Sequence, residues 1–442
     1  MHSQKKKIVT KFGGSSLANA EQFRKVKDII GRNPARIYVV PSAPGRRFSG
    51  DDKVTDLLYR CYNLCREHQD FEETFDKIRA RYQEIASELE LTVDLDRELN
   101  HIHDKIAGGA DADYCASRGE YLNGLLLADF LSWRFMDAEK VIFFKGDGTF
   151  DSEKTNVVMM ALLADEQPTV VPGFYGVKPD GRVHTFSRGG SDITGAIVAR
   201  AVSADTYENW TDVSGFLMAD PRIVSNPREI SRITYAELRE LSYMGATVLH
   251  EDAMFPVHKV GIPTVILNTN HPEHPGTLIS LTLPTDPVEP TITGVAGHQG
   301  FSVVAIEKAM MNSEIGFGRK VLQIFEECNI SFEHMPSGID SLSVVVSGEA
   351  LAPHREEIVR RIAEEVAPDT LTIHDHMSII ATVGRGMVNN CGTAARLFSA
   401  MSRNGINVRM IDQGSSELSI IVGVDDADFE KTIRAIYAEF VG

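Results

Sequence analysis

The first two thirds of the chain alternate short apolar runs with amphipathic segments. Residues 8–12 form a buried-looking first strand, and a helical pattern follows from about Asn19 to Ile30. After a long helical stretch the alternation resumes, with further strands predicted at 140–144, 169–171 and 264–267. This alternation is typical of an α/β fold with a mostly parallel sheet covered by helices on both faces.

The predicted sheet domain spans 1–283 and is interrupted by a charged helical stretch. We interpret this stretch, at about 57–105, as an inserted helical lobe. Residues 284–290 are polar and contain three prolines, so they predict a linker.

An internal repeat follows the linker. Ser302, Ile330 and Leu342 recur as Ser378, Ile406 and Leu418, each time 76 residues later and within similar apolar runs. Each copy has the pattern strand, helix, strand, strand, helix, and a final strand is predicted in the first copy at 370–374. This order is ferredoxin-like, βαββαβ. The predicted units are 291–375 and 376–442, with 291–297 as a strand that can pair into the second unit.

Composition narrows the function. The chain of 442 residues has a net charge of −17, which argues against nucleic acid and anionic membranes as partners. It has neither an apolar run of ~20 residues nor a signal peptide, so a cytoplasmic location is expected. The five scattered cysteines predict reduced thiols. The pairs His101/His103 and His374/His376 lack a third ligand, so no protein metal site is predicted.

A glycine-rich loop at 185–192 precedes the apolar run 193–201. Free amides and the helix dipole at such a helix start favour an anion. Arg188 can clamp a carboxylate or phosphate with two hydrogen bonds, and Asp192 adds an acceptor. Taken alone, such a loop is more often plain turn chemistry than a binding site.

Two other segments carry comparable groups. Lys11 precedes a Gly-Gly-Ser-Ser turn at 13–16 that lacks the Walker spacing, and a strand ends at Thr211-Asp212 before an Asp-Pro-Arg turn at 220–222. Polar groups at strand carboxyl ends are where open α/β sheets bind ligands.

The order of these motifs resembles the amino acid kinase family. Lys-Phe-Gly-Gly-Ser-Ser, Ser-Arg-Gly-Gly-Ser-Asp and Thr-Asp-Val-x-Gly with Asp-Pro-Arg occur in sequence. Further segments make the chain similar to an aspartate kinase over nearly its whole length, and the repeat resembles tandem ACT domains. These segments are 39–43, 53–56, 117–120, 172–176, 245–250, 268–270 and 276–279.

The resemblance implies transfer of the γ-phosphoryl group of ATP, with Mg²⁺, to the side-chain carboxylate of L-aspartate. The product would be 4-phospho-L-aspartate, on the way to lysine, threonine and methionine. Lys11 and Asp192 would be catalytic. The implied aspartate pocket is Ser42, Thr55, Glu120, Phe174, Arg188 and Ser191. The implied nucleotide contacts are Lys11, Gly13, Gly14, Ser15, Thr211, Asp212 and Arg222. The residue at 247 is Thr where many relatives carry a nucleotide-contacting Lys.

The repeat implies regulation by an amino acid bound between ACT-like units, with lysine favoured and threonine as runner-up. The implied effector residues are Met311, Ser313, Glu314, Gly316, Phe317, Glu333 and Asp340. Strand pairing between units would give a homodimer or homotetramer. Three alternatives stay open: a repeat that only holds an oligomer together, another amino acid kinase, and a catalytically dead amino-acid sensor.

Overall fold

The computed structural model describes residues 6–187, 189–245, 251–283, 290–388 and 390–442. The chain divides into two compact units. The first comprises 1–216, 231–235 and 248–283, and the second comprises 217–230, 236–247 and 284–442. Arg188, Thr247 and nearly all of the predicted linker lie outside the described residues.

The first unit is built on an eight-stranded, mostly parallel sheet in the order β10-β12-β11-β7-β1-β2-β4-β3. Strand β1 pairs in parallel with both β2 and β7, and the β11–β12 pair is antiparallel. The predicted mostly parallel α/β architecture is therefore confirmed. The strands are β1 Ile8–Phe12, β2 Arg36–Pro41, β3 Arg134–Phe135, β4 Thr169–Val170, β7 Thr206–Thr211, β10 Arg232–Thr234, β11 Thr264–Asn268 and β12 Thr277–Ser280.

Helices cover this sheet and bury an apolar core. Phe12, Phe23, Phe75 and Trp210 are almost inaccessible to solvent. Asn19, Asp94 and Asp111 cap helices by accepting backbone N–H groups in the first turn. The helices are α1 Ala20–Gly31, α2 Val54–Arg66, α3 Glu72–Glu88, α4 Leu95–Ala107, α5 Ala112–Leu131, α6 Ser152–Leu162, α7 Gly190–Ala201 and α9 Phe255–His258. A small hairpin, β5 Tyr175–Val177 and β6 Val183–Thr185, precedes α7.

The strand predicted at 140–144 is not a strand of the main sheet. A short 3₁₀ helix, Ala138–Lys140, occupies its start, and the backbone N–H of Ile142 donates to the Ala138 carbonyl at 2.8 Å. The Phe143 N–H donates to the Thr155 hydroxyl at 3.0 Å. These local bonds take the amides that a strand ladder would need, which leaves single bridges at Phe143 and Phe144.

The second unit holds the repeat on one six-stranded antiparallel sheet, β14-β15-β13-β16-β18-β17. Two long central strands, β13 Gly294–Glu307 and β16 Thr370–Val383, each serve both copies. Residues 301–307 of β13 pair with β15 and 294–298 pair with 379–383 of β16. The first copy has the ferredoxin-like βαββαβ order. In the second copy no described strand follows the last helix, Phe429–Phe440, and residues 294–298 of β13 supply the remaining strand. The other strands are β14 Phe332–His334, β15 Ser341–Ser347, β17 Met410–Asp412 and β18 Ser419–Asp425.

Helices pack on this sheet, and those of the first copy bury Phe317, Val321, Ile358 and Ile362. The unit also contains α8, Tyr235–Tyr243, except for its first residue, and most of a small hairpin formed by β8 and β9. The remaining elements are β8 Phe216–Leu217, β9 Glu229–Ile230, α10 Phe317–Glu327, α11 Gly348–Leu351, α12 Arg355–Glu365, α13 Thr393–Arg403 and α14 Phe429–Phe440.

Candidate active site and regulatory site

A buried ion pair lies at the carboxyl end of the central strand. Lys11, next to last in β1, places its ammonium 2.6 Å from Asp192 Oδ1 in the first turn of α7. The Asn209 side-chain amide donates to the same oxygen at 2.9 Å. Lys11 and Asn209 are register partners on β1 and β7, so both point to the face that α7 covers. The two donors fix Asp192, and with it one edge of the site.

The glycine turn after β1 packs backbone against backbone on the loop after β2. A Cβ on Gly14 would lie 2.8 Å from the Ala43 carbonyl oxygen, and one on Gly45 would lie 2.6 Å from the Gly14 carbonyl carbon. The Gly45 N–H donates to the Gly14 carbonyl at 2.8 Å. This close approach requires glycine on both sides.

One backbone amide of the turn already has a partner within the protein. The Gly13 N–H donates to the Trp210 carbonyl at 2.9 Å, so this N–H is not directed at a phosphate. The amide is taken because the turn continues the β1–β7 ladder for one residue. Lys11 Nζ lies 3.6 Å from the position that a Cβ on Gly13 would occupy, so the ammonium lies against this turn. The assignments of Gly13, Gly14 and Ser15 to the nucleotide stay predictions.

Glu120 carries the most unusual carboxylate of the site. It lies on α5, is only 5% exposed, and its Oε2 has no hydrogen-bond partner. Burial raises the pKa of Glu120 to about 7, although the nearby Ala43 N–H, the charge of Lys11 and the Ser191 hydroxyl act to lower it. Glu120 therefore lies in the interior and not on an exposed helix face. A buried acceptor without a partner is costly, so it is a good candidate for a ligand contact.

Two other pocket residues predicted from the sequence lie on neighbouring elements. The Ser42 N–H donates to the Phe12 carbonyl at 3.0 Å, and its own carbonyl accepts the Asn123 side-chain amide at 2.6 Å. Thr55 lies in the first turn of α2. Ser42 is thus fixed through its backbone by β1 and α5.

The remaining pocket residues surround the start of α7. Phe174 has a left-handed backbone with φ of 80°, and its N–H donates to the Thr194 hydroxyl at 3.1 Å. A Cβ on Gly190 would lie 2.9 Å from the Phe174 Cα, and one on Gly173 would lie 2.7 Å from the Ser191 Cβ. The glycines therefore let the 172–174 loop close on the helix start. Arg188 lies outside the described residues, so its assignment stays a prediction.

The predicted nucleotide residues Thr211 and Asp212 are held by the 268–270 segment. The Asn268 side-chain amide donates to the Asp212 carbonyl at 3.2 Å and to the Ser214 hydroxyl at 3.0 Å. The Thr269 N–H donates to the Thr211 carbonyl at 2.9 Å. Arg222 falls in the second unit, where it is exposed and paired with Asp220 at 2.6 Å.

Asn209 and Asn123 were not singled out from the sequence, yet both hold site residues in place. Asn209 is nearly inaccessible and Asn123 is fully so. The sequence does contain an indication of the role of Asn209. It is a polar residue in a buried strand, directly before Trp210, and a buried polar side chain needs a hydrogen-bond partner. For Asn123 the helical pattern gave no such signal.

The predicted effector segment surrounds a pair of surface lysines. Glu314 accepts from Lys308 Nζ at 2.6 Å and Lys320 Nζ at 2.7 Å. The Lys308 hydrogen bond, followed by that of Lys320, lowers the pKa of Glu314 to about 2. Met311 and Phe317 are buried, and Gly316, with a φ of 83°, immediately precedes α10.

Asp340 joins this segment, whereas Glu333 makes its contact elsewhere. The Asp340 carboxylate accepts the Met310 N–H at 2.8 Å, and its carbonyl accepts the Lys308 N–H at 2.9 Å. Glu333, on β14, accepts the hydroxyl of Tyr243 on α8. Ser313 is exposed. Asp340 thus supports the backbone of the segment through its carbonyl and one carboxylate oxygen.

Comparisons with known proteins agree with this architecture. The model described as "Amino acid kinase family" matches residues 6–268, and one described as "ACT domain" matches 380–440. Aspartokinase 3 of Bacillus subtilis is 39% identical over 448 residues, covering 98% of both chains.

Solved structures agree as well. The aspartate kinase of Clostridium acetobutylicum, described as an allosteric enzyme, is 51% identical with a TM-score of 0.89, covering 98% of this chain and 100% of that one. Escherichia coli aspartokinase III, solved with aspartate and ADP and again with lysine and aspartate, is 24% identical and shares the fold. Its TM-scores are 0.75 and 0.74, over 99% of this chain and 100% of that one.

The chain therefore belongs to the amino acid kinase family, in the aspartate kinase branch that carries C-terminal ACT domains. It is an ATP-dependent phosphotransferase that acts on aspartate.

Over the described part of the chain, the helices are too short or too polar to cross a membrane.

Proposed function

We propose that the enzyme transfers the γ-phosphoryl group of MgATP to the side-chain carboxylate of L-aspartate, giving 4-phospho-L-aspartate. This reaction would be the first step in the synthesis of lysine, threonine and methionine. The observation that carries the proposal is the buried Glu120 carboxylate, whose free oxygen lies in the same site as the Lys11–Asp192 pair. A cationic group of the substrate is the partner that this carboxylate lacks.

The acceptor carboxylate is already ionised at neutral pH, so the reaction needs no general base. It needs two anions brought together and the charge of the transferring group stabilised. Lys11 would supply that charge, because its ammonium is held at the glycine turn by Asp192. Asp192 would in turn be oriented by Asn209. The proposed catalytic step therefore rests on electrostatics rather than proton transfer.

The aspartate would be held by its charged ends. Glu120 would pair with the α-ammonium group, and Arg188 would clamp a carboxylate. Ser42, Thr55, Phe174 and Ser191 would complete the pocket. Thr211 and Asp212, fixed by Asn268, would hold the nucleotide, with Arg222 as a further contact.

Mg²⁺ is usually held by one or two carboxylates together with substrate phosphates. The residues fit such an ion, since Asp192 uses its Oδ1 for Lys11 and Asn209 and retains a second carboxylate oxygen. When bound, the ion would neutralise phosphate charge.

The acceptor can be tested by coupled ADP release with trapping of the acyl phosphate by hydroxylamine. We expect release to depend on both MgATP and L-aspartate. L-Glutamate, N-acetyl-L-glutamate and a nucleoside monophosphate should support little release. A chain that prefers one of these acceptors would be another amino acid kinase. A chain inactive with all of them would be the dead sensor, against which the intact Lys11–Asp192 pair argues.

We further propose that the ACT-like units bind an amino acid and change the activity of the kinase unit. Lysine is the first ligand to test, because Escherichia coli aspartokinase III, which shares the fold, was solved with it; threonine is second. The proposed contacts are Met311, Ser313, Glu314, Gly316, Phe317, Glu333 and Asp340. A homodimer or homotetramer through these units is part of the proposal, as is a cytoplasmic location.

Calorimetry on the full-length protein tests the regulatory proposal. Lysine or threonine should release heat and weaken aspartate or ATP binding, and by linkage the substrate should weaken effector binding by the same factor. No heat with either amino acid, together with full activity at millimolar concentrations, would leave oligomerisation as the role of the repeat. Sedimentation of the same sample reports the oligomeric state.

A further inference from the structure

Helix α5 contacts the start of the glycine-rich loop through one carboxylate and carries a second on the same face. Asp113 and Glu120 are seven residues apart, about two helical turns, so they lie on one face. Asp113 contacts His184 and Thr185 of strand β6, where the loop begins. The helix that carries the buried Glu120 carboxylate therefore also holds strand β6.

The contact at Asp113 is made by two short bonds. The Thr185 hydroxyl donates to Asp113 Oδ1 at 2.6 Å, and His184 Nδ1 lies 2.6 Å from Asp113 Oδ2. Asp113 and His184 are about one third and one quarter exposed, so solvent weakens but does not remove this interaction. Burial first, then the charges of Asp113 and Glu120, raises the pKa of Tyr59 on α2, which agrees with both carboxylates facing the same side.

Strand β6 also contacts the segment that carries Phe174. Thr185 pairs with Tyr175 across the hairpin. The next residue, Phe186, donates its N–H to the Phe174 carbonyl at 2.9 Å. The ring of His184 packs edge-on against Phe144, with centroids 4.8 Å apart. A shift of β6 along α5 would therefore move Phe174 as well.

We propose that Asp113 is a positioning residue for aspartate binding. Through Thr185 and His184 it sets the position of strand β6, and with it Phe174, relative to Glu120. The proposal rests on the function proposed above, in which Glu120 and Phe174 belong to the aspartate pocket. Asp113 would act through β6 and not by touching aspartate or the nucleotide. Misplacement of binding groups by about 1 Å can cost up to about 10²-fold in rate, and loss of one of the two bonds should cost less.

The test removes the Thr185–Asp113 bond with the least change of shape. Thr185→Val keeps the volume and loses the hydroxyl, whereas Thr185→Ser keeps the hydroxyl. The matched control is Thr92→Val, because the Thr92 hydroxyl donates to Asp129 at the other end of the same helix at 3.0 Å. For each full-length variant, kcat and the KM values for aspartate and ATP are measured together with the thermal midpoint.

We expect Thr185→Val to raise the KM for aspartate about tenfold and to leave the KM for ATP within about twofold. Thr185→Ser and Thr92→Val should stay within about threefold of the parent protein for aspartate. Asp113→Ala, which loses both bonds, should have a larger effect than Thr185→Val. If Asp113→Ala fails to fold, Thr185→Val still tests the proposal.

The proposal is overturned if the valine variant raises both KM values equally, or if only its thermal midpoint falls. Either result would make the bond a plain structural contact. Glu120→Gln is measured in parallel to separate the two proposals. If Glu120→Gln raises the aspartate KM and Thr185→Val does not, the positioning role fails while the proposed function stands. If Glu120→Gln has no effect on aspartate, the pocket assignment itself fails.

Discussion

Glu120 in the catalytic unit and Glu314 in the repeat are both candidate ligand contacts, but their surroundings are opposite. Glu120 is buried, leaves one oxygen without a partner, and has a pKa raised to about 7 by burial. Glu314 lies near the surface between Lys308 and Lys320, whose hydrogen bonds lower its pKa to about 2. Glu120 has a carboxylate oxygen without a hydrogen-bond partner, whereas both oxygens of Glu314 are already paired with lysine ammonium groups.

Because of this difference, Glu120 is the better supported of the two candidate ligand contacts. A buried acceptor without a partner carries a cost that a ligand can remove. A carboxylate shared by two lysines would have to release at least one of them before it could bind the ammonium group of an effector. Surface pairs contribute little by themselves. The geometry therefore supports a prebuilt aspartate contact and an effector contact that would need rearrangement.

The largest effect is expected for Lys11→Ala in the catalytic unit. In the proposed mechanism its ammonium would stabilise charge that develops as the phosphoryl group moves, so kcat should fall by ~10²-fold or more while the KM for aspartate changes much less. Steady-state kinetics measure this, with the exposed Lys77→Ala as control. Turnover within about threefold of the parent enzyme would remove Lys11 from the catalytic role.

Glu120→Gln should have the next largest effect, and it concerns aspartate alone. Loss of a charged hydrogen bond is worth about 1.5–3 kcal/mol, so the aspartate KM should rise by about 10- to 100-fold. In the parent enzyme kcat/KM for aspartate should increase as pH rises through about 7, because in the proposed pocket only the ionised form of Glu120 would pair with the ammonium group. The glutamine variant should lose that rise, while Asp129→Asn on the same helix should keep it.

The smallest effect is expected for Glu314→Gln in the repeat. Because Glu314 is already paired, its loss should change lysine affinity by only about twofold to fivefold, measured by calorimetry on the full-length protein. Its low pKa also predicts that lysine affinity does not change between pH 5 and pH 8 through this group. Abolished lysine binding would show that Glu314 is a direct contact after all and would remove the contrast with Glu120.

Much of the fold could be predicted from the sequence because local patterns determine it. Strand β1, helix α7 and the repeated apolar runs were all visible as periodicity, and each formed as predicted. The strand prediction for 140–144 was wrong, because this apolar run is buried without belonging to the main sheet. The backbone N–H groups of Ile142 and Phe143 bond locally, and the pattern of apolar residues does not show whether such local bonds or a strand will form.

The site was less predictable, because its properties depend on distant residues. The motif order indicated Lys11 and Asp192, but the role of Asn209 follows from the β1–β7 register. The raised pKa of Glu120 comes from burial beneath the loop after β2 and the start of α7, which a helical pattern does not reveal. The occupied Gly13 amide likewise depends on Trp210, almost 200 residues away.

The most direct test of the central claim is the proton released when aspartate binds. Calorimetry of aspartate binding at pH 7 in buffers of different ionisation enthalpy gives this number. With a pKa of about 7, Glu120 is about half protonated before binding, and pairing with the ammonium group should release about half a proton per site. Release should fall towards zero at pH 9 and vanish in Glu120→Gln. Equal proton release by the parent enzyme and the glutamine variant would contradict the account.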